Sequence, residues 1–175
     1  MSRNIACYSI AGIAALAFVA MPLVTSADEP SIQVNPISVE RGEFTDEVDI
    51  TIKLKPEGAP RTQVIEPGSS HLVMAEVIVK PDGVFPWHTH PASSISIIDE
   101  GELMYVTEDC DERLYTTGTA MVDPGDNVHT AYNPSDTEDL VLLATFIGAP
   151  AEGPLTLPID AEESEALDDQ CGIER

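Results

Sequence analysis

Polar and apolar residues alternate along much of the chain. Val48, Ile50, Ile52 and Leu54 interleave with Asp49, Thr51 and Lys53, the period of two that marks a half-buried strand. Leu72–Val79 is a nearly continuous apolar run broken by Glu76, and turn residues bound it at Gly68-Ser69-Ser70 and Pro81-Asp82-Gly83. Ser93–Ile98 and Leu103–Val106 follow, so close together that Asp99–Glu102 reads as a hairpin turn. Gly118–Val122, Val128–Tyr132 and Leu140–Ile147 complete the set. Turn signals recur about every ten residues, and no sustained helical period appears between residues 28 and 155. The pattern predicts an all-β chain, an antiparallel sandwich or small barrel. Only Ala161–Leu167 reads as a short helix, within an acidic tail expected to be partly disordered.

The first segment departs from this pattern. Arg3 precedes an apolar run, Ile10–Val24, and the small residues Thr25-Ser26-Ala27 stand before Asp28 and Glu29. This predicts a signal peptide over residues 1–27, cleaved after Ala27, and a periplasmic or secreted product. The run of 15 residues is short of the roughly 20 that a spanning helix needs, so no membrane association is expected after cleavage. Of 175 residues, 31 are Asp or Glu and 8 are Lys or Arg, a formal charge of −23. Such a surface repels phosphate backbones and anionic headgroups, which excludes nonspecific nucleic-acid and membrane binding. The charge fits either a high-salt setting or plain solubility. Loss of residues 1–27 removes Cys7 and leaves Cys110 and Cys171, which an exported chain is expected to join as a disulfide.

The chemistry rests on histidines. His88-Thr89-His90 stands at the entrance to a strand, where residues two apart share a face and can chelate one ion. Taken alone, such a pair is weak evidence. Its setting is more specific: Gly83, His88, His90 and Gly101 are followed, after 16 intervening residues, by Gly118, Pro124, His129 and Asn133. In residue type and order, these two clusters resemble the paired motifs of the cupin family. The run Pro86-Trp87-His88-Thr89-His90-Pro91 is similar to a group of exported bacterial cupins. The resemblance covers about residues 62–150. It implies a single-domain double-stranded β-helix (jelly-roll) barrel there, with N-terminal strands from 28–61 packed on it and an acidic tail over 151–175. It also implies that His88, His90 and His129 converge on one divalent transition metal, with zinc favoured in an oxidising compartment.

Three departures from the family pattern stand out. The loop from Gly83 to His88 is one residue short. Gly125 follows Pro124 directly, and Asp126 takes the place of a glycine. The carboxylate of the first motif is absent, with Ser94 in its position. Three neutral imidazoles would leave the ion its full charge and sharpen it as a Lewis acid. Glu76 is a weak catalytic candidate: if its strand face lines the barrel, it is a buried base near the metal, and otherwise it is a solvent-facing strand residue, the reading favoured here. Ser94 and Ser96 share parity with the histidines and could hold a metal-bound water. Tyr105 and Tyr132 are candidates for the mouth, Trp87 for a pocket wall or a core anchor, and His71 for the surface or the core edge. The implied partner is a small molecule in the barrel mouth, and a homodimer stays open. Lyase, isomerase and dioxygenase chemistry all occur on this fold, and a non-catalytic small-ligand or metal-binding module is the alternative.

Overall fold

The structure is a computed structural model that describes residues 32–34, 39–55 and 62–174. The expected signal peptide, residues 1–27, and its cleavage point after Ala27 lie outside the described residues. Eleven described strands form two antiparallel sheets. In the first, β3 (Thr62–Val79) lies beside β10 (Leu140–Ile147), which pairs β5 (Ser93–Glu100), which pairs β8 (Ala120–Asp123). β1 (Ile32–Val34) and β2 (Glu40–Leu54) share the other edge of β3 end to end. The second sheet runs β11 (Leu157–Pro158), β4 (His88–Thr89), β9 (His129–Tyr132), β6 (Glu102–Thr107), β7 (Glu112–Thr116).

The inner face of the first sheet is built in cross-strand rows. Val73, Phe146, Ser94 and Asp123 form one row, and Ala75, Ala144, Ser96 and Met121 the next. Val77, Leu142 and Ile98 form a third. All of these side chains are buried. Their sequence neighbours Met74, Ile95, Ile97 and Leu143 are exposed, as the two-residue strand period requires. In β2 the alternation read from Val48 to Leu54 appears as half-buried and exposed positions in turn.

Three expectations are corrected. Asp99–Glu102 is not a hairpin. β5 pairs with β10 and β8, whereas β6 pairs with β7 and β9, so the chain passes from one sheet to the other at this point. Gly101 makes the passage, with φ at +77°, and a Cβ there would stand 2.6 Å from the Asp139 carbonyl oxygen. Gly68-Ser69-Ser70 does not end a strand. β3 runs through it, and the glycine (φ +64°) takes up the register shift against β2 while its N–H donates to Asp49 Oδ1 at 2.9 Å.

The acidic tail is ordered. Its helix α1 (Ala161–Cys171) is capped at the start by Asp160, whose side chain accepts from the Glu163 N–H, and at the end by Gly172 in the left-handed region. Ser164, Leu167, Asp168 and Cys171 form its half-buried stripe. Before it, β11 pairs with β4, so the segment after residue 150 completes a sheet of the barrel.

A disulfide between Cys110 and Cys171 ties the end of α1 to the turn after β6, across a sequence separation of 61. Closing a loop of that size restricts the unfolded chain by up to about 4 kcal/mol. Replacing both cysteines by serine should therefore lower the urea midpoint of the oxidised protein. Equal midpoints would show that the disulfide adds nothing to the barrel's stability.

Candidate metal centre

His88 lies in β4 and His129 opposite it in β9, as direct cross-strand partners. His90 follows β4, placed by its N–H donating to the Gly125 carbonyl at 2.7 Å. Gly125 has φ at +96°, and a Cβ there would meet the Ala92 carbonyl oxygen at 2.7 Å, so only glycine fits this close approach. The rearranged turn thus still delivers His90. One ring nitrogen from each histidine falls within 4.8 Å of the others. The imidazole centroids stand 4.2 Å apart for His88–His129, 4.7 Å for His88–His90 and 5.1 Å for His90–His129.

Each Nδ1 faces a backbone carbonyl: Pro86 at 2.6 Å from His88, Leu155 at 2.5 Å from His90, Asn127 at 3.0 Å from His129. A carbonyl oxygen only accepts, so each Nδ1 carries a proton, and in the neutral ring Nε2 then holds the lone pair. Three lone pairs brought together in a fixed tautomer are the donor set that zinc, copper, iron or nickel takes. The residues present therefore fit the metal that the histidine spacing implied.

Burial reinforces the neutral state. The His88 pKa is lowered from the usual 6.5 to about 3, first by burial and then by the neighbouring His129 and His90. The His129 pKa falls to about 4, chiefly through burial.

A cavity of about 100 Å³ opens against these rings. Its walls are mostly apolar, with Phe85, Leu103, Met121, Leu142 and Phe146 among them, and Ser94 and Ser96 also face it. Tyr105 stacks on His129 with ring centroids 4.8 Å apart, and its hydroxyl accepts from Asn127 Nδ2 at 2.9 Å. Burial pushes the Tyr105 hydroxyl strongly up, so it stays protonated.

Sequence reasoning missed one residue. Asp123, only 3% exposed, lines the cavity, with Oδ2 3.0 Å from His129 Nε2 and 3.8 Å from His90 Nε2. The centre is therefore not free of carboxylate, contrary to the reading from Ser94. Burial raises the Asp123 pKa, opposed by the nearby histidines and by the Gly125 N–H.

Other candidates lie elsewhere. Glu76 is corrected: Ala75 and Val77 face the cavity, and Glu76, between them, lies on the outer side of β3. Trp87 is fully buried but faces away from its neighbour His88, and its Nε1 donates to Asp168 of α1 at 2.8 Å. It is an anchor and not a pocket wall. Tyr132 does not line the cavity but a separate groove with Glu112 and Asn133. His71 is half-buried beside Ser70 and apart from the cluster. Asn133 is structural: Nδ2 donates to the carbonyls of Val79 and Glu138, and Oδ1 accepts from the Ser135 N–H.

Residues 75–146 match the family model described as a cupin domain. Germin-like protein 3-1 of Oryza sativa subsp. japonica is 31% identical over 99 residues, covering 54% of this chain and 44% of that protein. The chain thus spans less than half the length of that relative. Among solved structures, the polyketide cyclase RemF of Streptomyces resistomycificus is similar at 19% identity and a TM-score of 0.46, covering 82% of this chain and 84% of that one. KdgF from Halomonas sp. is similar at 21% identity and a TM-score of 0.40, covering 46% and 71%.

The lowered histidine pKa values set a pH dependence for the metal-free protein. Between about pH 6.5 and 4 the unfolded chain takes up protons at both positions and the folded chain does not. Their contribution is complete above pH 6.5 and falls with the pH, by up to about 1.4 kcal/mol per pH unit for each group. Asp123 acts in the opposite sense, because its raised pKa lets the folded chain take a proton first, so one group opposes two. The urea midpoint of His88→Gln should fall less steeply from pH 7 to pH 5 than that of wild type. Parallel slopes would contradict this account.

Proposed function

We propose that this chain, a member of the cupin superfamily, is an exported protein that binds one divalent transition metal through His88, His90 and His129 and holds a small molecule against it. The observation that carries the reading is the shared tautomer: three Nδ1–H groups bound to carbonyls leave three Nε2 lone pairs converging at one end of a cavity. Three protein donors on an ion leave coordination positions open, the arrangement of a reactive centre. A metal bound there would supply Lewis acidity toward an oxygen of the ligand or toward water.

The chain's own residues define what fits. The apolar walls bury the carbon body of a ligand, while the polar end, with Ser94, Ser96 and the Tyr105 hydroxyl, offers partners for an oxygen-bearing group. A small, largely apolar molecule with a carbonyl, hydroxyl or carboxylate at one end meets both demands. Tyr105 keeps its proton and can donate to a developing negative charge. The same walls exclude water from the site, which strengthens every polar contact made inside it. Zinc is the favoured ion, because an exported protein works where ferrous iron is readily oxidised. Export rests on the segment before Ala27 and on the paired cysteines.

Elemental analysis of the purified protein tests the reading. Wild type should hold close to one equivalent of metal, and His129→Ala should lose it while keeping a β-sheet circular dichroism spectrum. Equal metal content in the two proteins would refute it.

A further inference from the structure

Asp123 sits where the chain otherwise lacks a carboxylate. Its strand, β8, pairs with β5 in a register that sets Asp123 directly opposite Ser94 on the inner face. Ser94 holds the position at which the first motif would carry a glutamate. Side chains directly opposite in an antiparallel pair have Cβ atoms about 5 Å apart, so a carboxylate on either strand can reach one point. Asp123 Oδ1 is fixed by the Gly125 N–H at 2.7 Å, which leaves Oδ2 turned to the histidines.

The contact with His129 carries the argument. Its Nδ1 holds the proton, bound to the Asn127 carbonyl, so its Nε2 is an acceptor. A carboxylate oxygen is also an acceptor, yet the two stand 3.0 Å apart. Two such atoms are held at that distance by a proton shared between them or by a cation bound to both. Two donors bound to one ion at about 2.1 Å each lie about 3.0 Å apart at a right angle and about 4.2 Å apart in line. The separations of 3.0 Å from His129 and 3.8 Å from His90 both fall in that range. Among the described residues, no Lys or Arg nitrogen lies within 4.0 Å of Asp123 to neutralise it. The Tyr105 hydroxyl, at 3.4 Å, is its one long neutral donor on Oδ2.

We propose that Asp123 Oδ2 is the fourth protein ligand of the metal centre, and that the carboxylate missing from β5 has been replaced by one from the neighbouring strand. The centre is then three imidazoles and one carboxylate, with a net charge of +1 when a divalent ion is bound. The hard oxygen donor extends the set of ions that fit to manganese. The proposal rests on the three-histidine reading, and one titration separates the two.

Zinc affinity is measured by competition with a chromophoric chelator for wild type, His129→Ala, Asp123→Ser, Asp123→Asn, and the exchange variant Ser94→Glu/Asp123→Ser. Circular dichroism checks each fold, and Asp123→Asn stands in if Asp123→Ser fails to fold. The Co(II) d–d absorption of the same proteins reports the donor set. Asp123→Ser should bind zinc at least about tenfold more weakly than wild type and shift the Co(II) bands. The exchange variant, with its carboxylate back on β5, should recover both. A loss smaller than tenfold overturns the proposal. So does a larger loss with unchanged Co(II) bands and no recovery in the exchange variant, since that is what a group merely orienting His129 would give. If wild type itself binds no metal, the three-histidine reading fails. If wild type binds and His129→Ala does not, while Asp123→Ser matches wild type, only the assignment of Asp123 fails.

Discussion

Three hydrogen bonds from imidazole to backbone organise this molecule. Each fixes a ring in one tautomer and aims its free nitrogen inward. Two are local, from His88 to Pro86 and from His129 to Asn127, and need only the entry turns of β4 and β9. The third is not: His90 bonds to Leu155, 65 residues further along the chain. The barrel can therefore form every strand up to β10 and still leave His90 without the carbonyl that orients it. The segment after the barrel is part of what sets the three-histidine cluster.

That dependence gives the tail a physical purpose. β11 pairs with β4 at His88 and Thr89, and the Ile159 N–H donates to the Trp87 carbonyl. Asp168 takes the Trp87 indole N–H, Gln170 donates to the Glu108 carbonyl, and the disulfide closes the end. These contacts run from the histidine strand to the far side of the second sheet. Single hydrogen bonds of this kind contribute about 1 kcal/mol each. The covalent bond keeps the set together when any one of them opens. Because a disulfide persists only in an oxidising compartment, the setting of His90 is linked to where the protein resides.

The strands were legible because alternation is a physical consequence of a sheet with one buried face, and the histidines because their spacing is set by the ion they would share. Other features were not, each for its own reason. Asp123 precedes Pro124-Gly125, where an aspartate reads as the opening of a turn, and only the register of β8 against β5 turns it inward. Glu76 lies in a run that is apolar on both faces, so the sequence could not say which face is the core. Gly101 reads as a hairpin glycine, because a tight turn has the same local signature whether the chain returns to its own sheet or crosses to the other. The short helix read at Ala161–Leu167 is present and runs on to Cys171 between the caps Asp160 and Gly172, but the packing of this acidic tail on the barrel was not legible. Its half-buried stripe matters through Leu167, Asp168 and the disulfide.

The contrast between surface and interior bears on what the site can hold. A chain with a formal charge of −23 presents a negative exterior, which opposes the approach of multiply charged anions. The cavity behind it is lined mainly by carbon, with its polar groups gathered near the rings and along Ser94, Asp123 and Tyr105. A charge inside such walls is felt strongly, because little water remains to screen it. A polyanion is thus disfavoured at the surface and again in the cavity, while a neutral or singly charged molecule passes both. Bound with its oxygen at the histidine end, it would bury its carbon skeleton against Leu142 and Met121, away from the imidazoles. Reaction or recognition is then confined to the first atoms next to the oxygen. That restriction follows from the cross-strand rows of the first sheet, in which Ser94 and Asp123 share the first row and Ser96 is the one polar member of the next two.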